Sequence, residues 1–282
     1  MQFGKDNSIF NRNGFIAVSD FESLEWRQLF NLLETEQSNF SKHEHMFRSP
    51  AYRWPRKPLY NFSRCYEYPY VYHHLHKMRE AWSGKDIPKV IDFGSGVTFF
   101  PFSVAKFGLD VTCVDVDPLL ASDLPRAAKV IPVSPGTVSY KLSDGHSIPL
   151  ADNTIDAVYC ISVLEHIPWF SEIIEEIYRI LRPGGKLLLT YDVLLKGSDG
   201  LSVVERKQLR DKLDICFEPN LKESTVHPLD VLDIFKGPFP NLPIGLKLAV
   251  YKSKQWVKPL IGREKNKVNN LTVECYSALK RS

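Results

Sequence analysis

Between Lys89 and Val193 short apolar runs alternate with helix-sized intervals, the rhythm of a mostly parallel sheet covered on both faces. KVIDFG (89–94), DVTCVDVD (110–117), TVSYKLSD (137–144), TIDAVYCIS (154–162) and KLLLTYDV (186–193) read as five strands. After Pro168, the residues Phe170, Ile173, Ile174, Ile177 and Leu181 share one helical face, while Glu172, Glu175, Glu176 and Arg179 share the other. RPGG then suits a tight turn with Pro183 and Gly184 at its centre. Ahead of Lys89 the period is helical. Ser19 and Glu22 have capping-box spacing before Leu24, Leu29 and Leu32, which predicts a helix to about Phe40. A stretch with four prolines and many aromatics, residues 49–76, interrupts it. Pro69 suits the first turn of a second helix with the stripe Val71, Leu75, Met78 and Trp82, ended by Gly84. Residues 201–217 read as a further helix, and 246–251 and 271–276 as two strands whose short linker favours an antiparallel pair. The expected fold is α/β: a Rossmann-like, doubly wound, mostly parallel seven-stranded sheet with an antiparallel C-terminal strand pair and an N-terminal helical extension.

Length and composition add limits. The chain has 282 residues, 44% of them hydrophobic, enough for one enlarged domain or two small ones with a full core. No uncharged apolar run reaches the roughly 18 residues of a membrane span, and the charged start MQFGKDNSIF does not read as a signal peptide, so a cytoplasmic location is expected. Cys65, Cys113, Cys160, Cys216 and Cys275 lie far apart without C-x-x-C spacing and read as free thiols. His73 and His76 share a helix face with His74 beside them, but no third ligand follows, so no metal site is expected. A net charge of +3 gives no global field for nucleic acid. It is uneven, however: residues 246–268 hold Lys247, Lys252, Lys254, Lys258, Arg263, Lys265 and Lys267 against Glu264 alone. That run reads as a solvated loop, with a phosphate-bearing or membrane-surface partner as the sharper alternative.

Ligands of open parallel sheets bind beyond the C-terminal strand ends. Here the first of those ends carries Asp92 and Phe93-Gly94-Ser95-Gly96, where missing Cβ atoms let backbone approach a ligand. The second ends in Asp115, with Asp117 beyond, a carboxylate placed to accept from a ribose diol. The third ends in Asp144-Gly145-His146. A dinucleotide fingerprint needs a further glycine where the chain has Thr98 or Phe99. The turn therefore need not wrap a pyrophosphate.

VIDFGSG, VTCVDVD, LSDGHSIPLADNTIDAVYCISVLEHI and LRPGGKLLLT together resemble the class I S-adenosylmethionine-dependent methyltransferases, and within them the type 11 group, over about residues 89–193. The departure is Thr98 in place of a third glycine. The resemblance implies S-adenosylmethionine as cofactor. By matching position, Asp92, Gly94, Ser95 and Gly96 would hold its methionyl part, Asp115 and Val116 the ribose side, Asp144 and Gly145 the adenine, and Ile161 and Ser162 would line the pocket beneath the sulfonium. It also implies that residues 1–86 form a lid over the acceptor pocket and 87–282 the methyltransferase domain. For the aromatics in that lid, Tyr52, Trp54, Tyr60, Phe62, Tyr66 and Tyr68, with Arg53, Arg56 and Arg64, two readings stand: stacking on a ring or holding an acidic group, or core packing against the sheet.

Methyl transfer from a sulfonium needs positioning first, and a base only for a weak nucleophile such as an alcohol. Candidates are His166 in LEHIP and Tyr191 and Asp192 at the end of the fifth run, with His146 and His227 behind them. The expected function is methylation of a small-molecule acceptor, at an oxygen of a sugar, glycan precursor or secondary metabolite. RNA or protein methylation and an inactive cofactor-binding partner are the alternatives, with a nicotinamide-dependent dehydrogenase the least favoured.

Overall fold

The computed structural model describes residues 7–196, 200–240 and 270–281. Among these, nine strands make one sheet: β1 (Arg12–Phe15), β2 (Lys89–Phe93), β3 (Asp110–Asp115), β4 (Thr137–Leu142), β5 (Ile155–Ile161), β6 (Leu181–Lys196), β7 (Phe217–Pro219), β8 (Lys222–Glu223) and β9 (Asn270–Lys280). Their order is β4-β3-β2-β5-β6-β9-β1-β8, with β7 also on β9. β2 to β6 pair in parallel, whereas β9 runs antiparallel to β6 from Lys186 opposite Leu279 to Lys196 opposite Asn270. The order reverses at β2, between β3 and β5, and this switch point opens the crevice in which a ligand can sit.

The helices are α1 (Leu24–His43), α2 (Arg64–Glu80), α3 (Phe100–Ala105), α4 (Leu120–Val130), α5 (Phe170–Ile180) and α6 (Val203–Cys216). They divide the apolar core between the two sheet faces. α1 to α4 cover one face, packing against Val90, Val111, Tyr159 and Leu188; α5 and α6 cover the other, against Ile91, Val158, Leu187 and Leu189. α5 follows its periodicity, with Phe170, Ile173, Ile174, Ile177 and Ile180 buried.

The N-terminal region departs from expectation in three ways. Ser19 and Glu22 lie in a single 3₁₀ turn, and α1 is capped instead by Ser23, whose hydroxyl accepts from the Trp26 amide at 3.1 Å. α2 begins at Arg64, so Pro69 is inside the helix, and Cys65 to Leu75 are all buried rather than striped. Pro69 has no N–H to give the Cys65 carbonyl four residues before it; the Trp26 indole donates to that carbonyl at 2.9 Å. Third, the segment is not only helices and loops. β1 joins the sheet, with Gly14 opposite Cys275 in antiparallel register on β9.

Of the expected C-terminal strand pair, 271–276 falls within β9, antiparallel to both β6 and β1. The partner run 246–251 and the basic run 246–268 lie outside the described residues. All five cysteines are free thiols, four of them buried and Cys216 partly so. His73 and His74 are buried, and burial pushes His73 down to about 3, so it is neutral. His74 Nε2 bonds the Phe10 carbonyl at 2.9 Å. Among the described residues there is no metal-holding cluster and no helix long and apolar enough to cross a membrane.

Candidate active site

The turn after β2 is held by contacts that only glycine permits at one position. Gly94 has φ +73°, and a Cβ there would lie 2.4 Å from Cγ2 and 2.7 Å from Cγ1 of Val163, in the loop after β5. Gly96, at φ +53°, donates its amide to Asp115 Oδ2 at 2.9 Å, and Asp117 donates its amide to Asp115 Oδ1 at 3.0 Å. Asp115 thus ties the end of β3 to the glycine turn. Each of its oxygens retains acceptor capacity for a ligand hydroxyl. Ser95 is 5% exposed, with its hydroxyl beside the buried Cys113 thiol.

A cavity of about 650 Å³ opens over this turn, within the roughly 300–1,000 Å³ typical of small-molecule sites. Its floor includes Gly94, Ser95, Gly96 and Asp115; Val116, Gly145 and Trp169 close one end. The Trp169 indole donates to the Gly145 carbonyl at 2.7 Å and its ring stacks on His146 at 4.6 Å, which fixes this wall.

The roof is the segment between α1 and α2. Tyr52, Trp54, Lys57 and Tyr60 line the cavity from above. The Val97 amide donates to the Tyr52 hydroxyl at 3.2 Å, Arg48 donates to the Val97 carbonyl at 2.8 Å, and the Arg48 guanidinium lies 4.7 Å over the Tyr52 ring. Burial pushes the Tyr52 phenol up to about 12, so it stays protonated and able to donate. These contacts clamp the roof to the loop it covers.

A buried ionic cluster closes the far end. Arg64 lines the cavity and donates to Glu67 Oε2 at 2.5 Å and to the Ser162 hydroxyl; that hydroxyl in turn donates to Glu67 Oε1 at 2.6 Å. Ser162 takes φ +46° at the end of β5, a left-handed conformation held by this network. Beside it, Glu165 Oε1 accepts from the Asp192 amide at 3.2 Å. Burial, then the nearby Glu67 charge, push Asp192 up to about 7 against the opposing pull of Arg64. Burial and the neighbouring Asp192 hold Glu165 well above the usual carboxylate range.

The structure brings Gly94, Ser95, Gly96, Asp115, Val116, Gly145, Ile161, Ser162 and His166 together around one cavity. Six other candidates do not line it, His146 and His227 among them. Asp92 is buried behind the turn, where burial pushes its carboxyl up to about 8, and it does not line the cavity. Asp144 turns its carboxylate into its own loop, accepting from the His146 amide at 2.9 Å and the Ser147 amide at 2.7 Å; the Ser147 and then the His146 bond hold it below its ordinary value. Tyr191 points to the opposite sheet face, fully buried and donating to Glu274 at 2.8 Å, because side chains alternate along β6. Asp192 faces the α2 side but stops at the ionic cluster. Trp169 is a lining residue without a role in the sequence reading, Tyr52 and Tyr68 come from the aromatic run before β2, and Glu67 and Glu165 stand behind the lining. The Arg64–Glu67 spacing of three on α2 was the available signal for the cluster.

The residues fit the implied cofactor. A polar Ser95 in the lining, two glycines at positive φ and an Asp with spare lone pairs suit a nucleoside bearing an amino-acid tail. Arg64 is the guanidinium in the lining able to meet that tail's carboxylate.

Residues 91–189 match the family model described as a methyltransferase domain, of the type 11 group. An uncharacterized methyltransferase of Mycobacteroides abscessus is 35% identical over 106 residues, which cover 38% of this chain and 40% of the relative. A ubiquinone biosynthesis O-methyltransferase of Xanthomonas axonopodis pv. citri is 31% identical over 167 residues, 55% of this chain and 63% of the relative. The chain thus covers less than two thirds of the length of either relative. Among solved structures, the (4+2)-cyclase SpnF superposes with a TM-score of 0.53 at 17% identity, covering 96% of this chain and 99% of that one, a likeness of fold alone.

Proposed function

We propose that this chain, which carries a class I S-adenosylmethionine-dependent methyltransferase domain, methylates an oxygen of a small molecule such as a sugar, glycan precursor or secondary metabolite. The observation that carries the reading is the roofed cavity: one chamber of about 650 Å³ reaches from the glycine turn to Trp54 and Tyr60. A chamber of that size and cover suits a small acceptor better than a polymer laid across a surface. The partial likeness to a ubiquinone biosynthesis O-methyltransferase supports oxygen as the acceptor atom.

The bound cofactor supplies a methyl group already activated on sulfonium. The protein's share is then to hold the acceptor in line and to keep water out. In this reading Gly94, Ser95, Gly96, Ile161 and Ser162 seat the methionyl part, with Arg64 on its carboxylate. Asp115 takes the ribose hydroxyls, and Val116, Gly145 and Trp169 enclose the base. Tyr52 and the roof exclude water. His166 lines the cavity and is our candidate to accept the proton of an acceptor hydroxyl, a contribution of about 10²–10⁴ in rate. Cytoplasmic residence is part of the same proposal.

The test is methyl release from labelled S-adenosylmethionine across sugars, phenols, total RNA and protein, beside calorimetric titration of S-adenosylhomocysteine. Labelling of a small hydroxylic acceptor is expected. Labelling of RNA or protein alone would overturn the acceptor class. Tight S-adenosylhomocysteine binding without any transfer would identify a cofactor-binding protein of another role.

A further inference from the structure

We propose that the acceptor is an anion carrying a ring, whose acidic group is bound by Lys57 while Trp54 covers the ring. The inference rests on the methyltransferase reading and deepens it. Charge along the cavity is divided: Asp115 and Asp117 stand at the β3 end, Lys57 and Arg64 under the roof. Arg64 is engaged with Glu67 and is the natural partner of the methionyl carboxylate. That leaves Lys57 as the lining cation with no anion assigned. It makes no ion pair among the described residues, and the acid that feels its charge, Glu34, already accepts from Tyr60 at 2.6 Å and Ser38 at 3.0 Å through one oxygen.

The roof around Lys57 reads Arg53-Trp54-Pro55-Arg56-Lys57, three cations in five residues, of which Arg56 is matched by Glu44 at 2.9 Å. Trp54 is 61% exposed while lining the cavity, a large apolar face open toward the chamber. An indole beside a free ammonium recognises a planar or sugar ring bearing a carboxylate or phosphate: the ring covers the indole face, and the ammonium supplies a charge-assisted hydrogen bond. The excess positive charge at the mouth also steers anions inward, more strongly at low salt.

The experiment uses the full chain saturated with S-adenosylhomocysteine. Acid–neutral pairs are titrated by ligand-observed NMR: 4-hydroxybenzoate against its methyl ester, glucuronate against glucose, and glucose 1-phosphate against methyl glucoside. At least one acid should bind about tenfold more tightly than its neutral partner, in line with one charge-assisted bond. Lys57→Glu should erase that preference, Lys57→Arg should retain most of it, and Trp54→Ala should weaken both members of the pair. S-adenosylhomocysteine affinity should be unchanged in all three variants. Equal binding of acid and neutral members, binding of neither, or a preference that survives Lys57→Glu overturns the proposal. Loss of S-adenosylhomocysteine binding by the parent would instead strike the methyltransferase reading beneath it.

Discussion

Replacing Gly94 by Ala tests whether the glycine turn is shaped by its own backbone or by the loop above it. The new Cβ would meet all three carbons of the Val163 isopropyl group, at 2.4, 2.7 and 3.1 Å, so no rotation of Val163 clears it. The residue would also hold φ +73°, where an L-residue is strained. Left-handed strain of about 1–2 kcal/mol and overpacking of about 1–3 kcal/mol place the loss near 2–5 kcal/mol, a large part of a typical stability of about 5–15 kcal/mol. Val163→Ala removes both Cγ atoms and with them the closest contacts, so Gly94→Ala made in that background should cost only the conformational share. Gly96→Ala is the internal control. Its Cβ would meet the Tyr52 hydroxyl at 3.0 Å and Thr98 Cγ2 at an ordinary 3.7 Å, and φ +53° lies where a side chain is better tolerated. Urea unfolding gives the stabilities, and calorimetry with S-adenosylhomocysteine shows whether cofactor affinity falls with them. A Gly94→Ala protein that unfolds at the parent's midpoint would refute the argument, as would a Gly94→Ala loss that is no smaller in the Val163→Ala background than in the parent.

Asp115→Ala should weaken S-adenosylhomocysteine binding by about 1–3 kcal/mol, since it removes a ribose acceptor and frees the Gly96 and Asp117 amides; unchanged calorimetric affinity would remove that assignment. Trp26→Phe should cost about 1–3 kcal/mol in urea melts by orphaning the buried Cys65 carbonyl, and should cost less in a Pro69→Ala background, where the helix again has an amide to offer; equal losses in both backgrounds would exclude the compensation. For Asp92 the folded pKa of about 8 lies above the ordinary 3.8, so the folded state binds the extra proton and stability falls as pH rises from about 4 to 8. Asp92→Asn should flatten that fall, by up to about 1.4 kcal/mol per pH unit, in urea melts from pH 5 to 8; parallel curves for both proteins would contradict it.

The sheet was legible because its signal is local and repeated. Each run from β2 to β6 carries its own apolar pattern, and α5 separates its two faces within eleven residues. The N-terminal helices were harder because tertiary partners decide their ends. Pro69 read as a first-turn proline since an interior one leaves a carbonyl unbonded, yet Trp26, on a different helix, supplies the missing donor. The alternation that α2 lacks has a similar origin. It is enclosed by α1, α3 and the sheet, so polar Glu67, His73 and His74 are buried beside Val71 and Leu75, and no stripe could report its burial.

At the site, the same distinction separates what strand ends could reveal from what they could not. Position after a strand placed Gly94, Gly96 and Asp115 at the cavity because where the chain turns fixes where these residues sit. Asp144 has an equally good position, but the Ser147 and His146 amides lie within its own turn and draw its carboxylate there, outside the cavity lining. Tyr191 and Asp192 are neighbours in sequence on opposite faces of β6, so only one of them could ever have faced α2. The ionic cluster needed three distant pieces, α2 with Arg64 and Glu67, the β5 end with Ser162 and Glu165, and the β6 end with Asp192. Its effect is to place one guanidinium at the cavity wall with its countercharge buried behind it. The wall is therefore cationic toward the chamber although the cluster holds more carboxylates than arginines, because Asp192 and Glu165 are held toward their protonated forms by burial. The polarity of this wall is thus set by desolvation, which a sequence count of charges does not record.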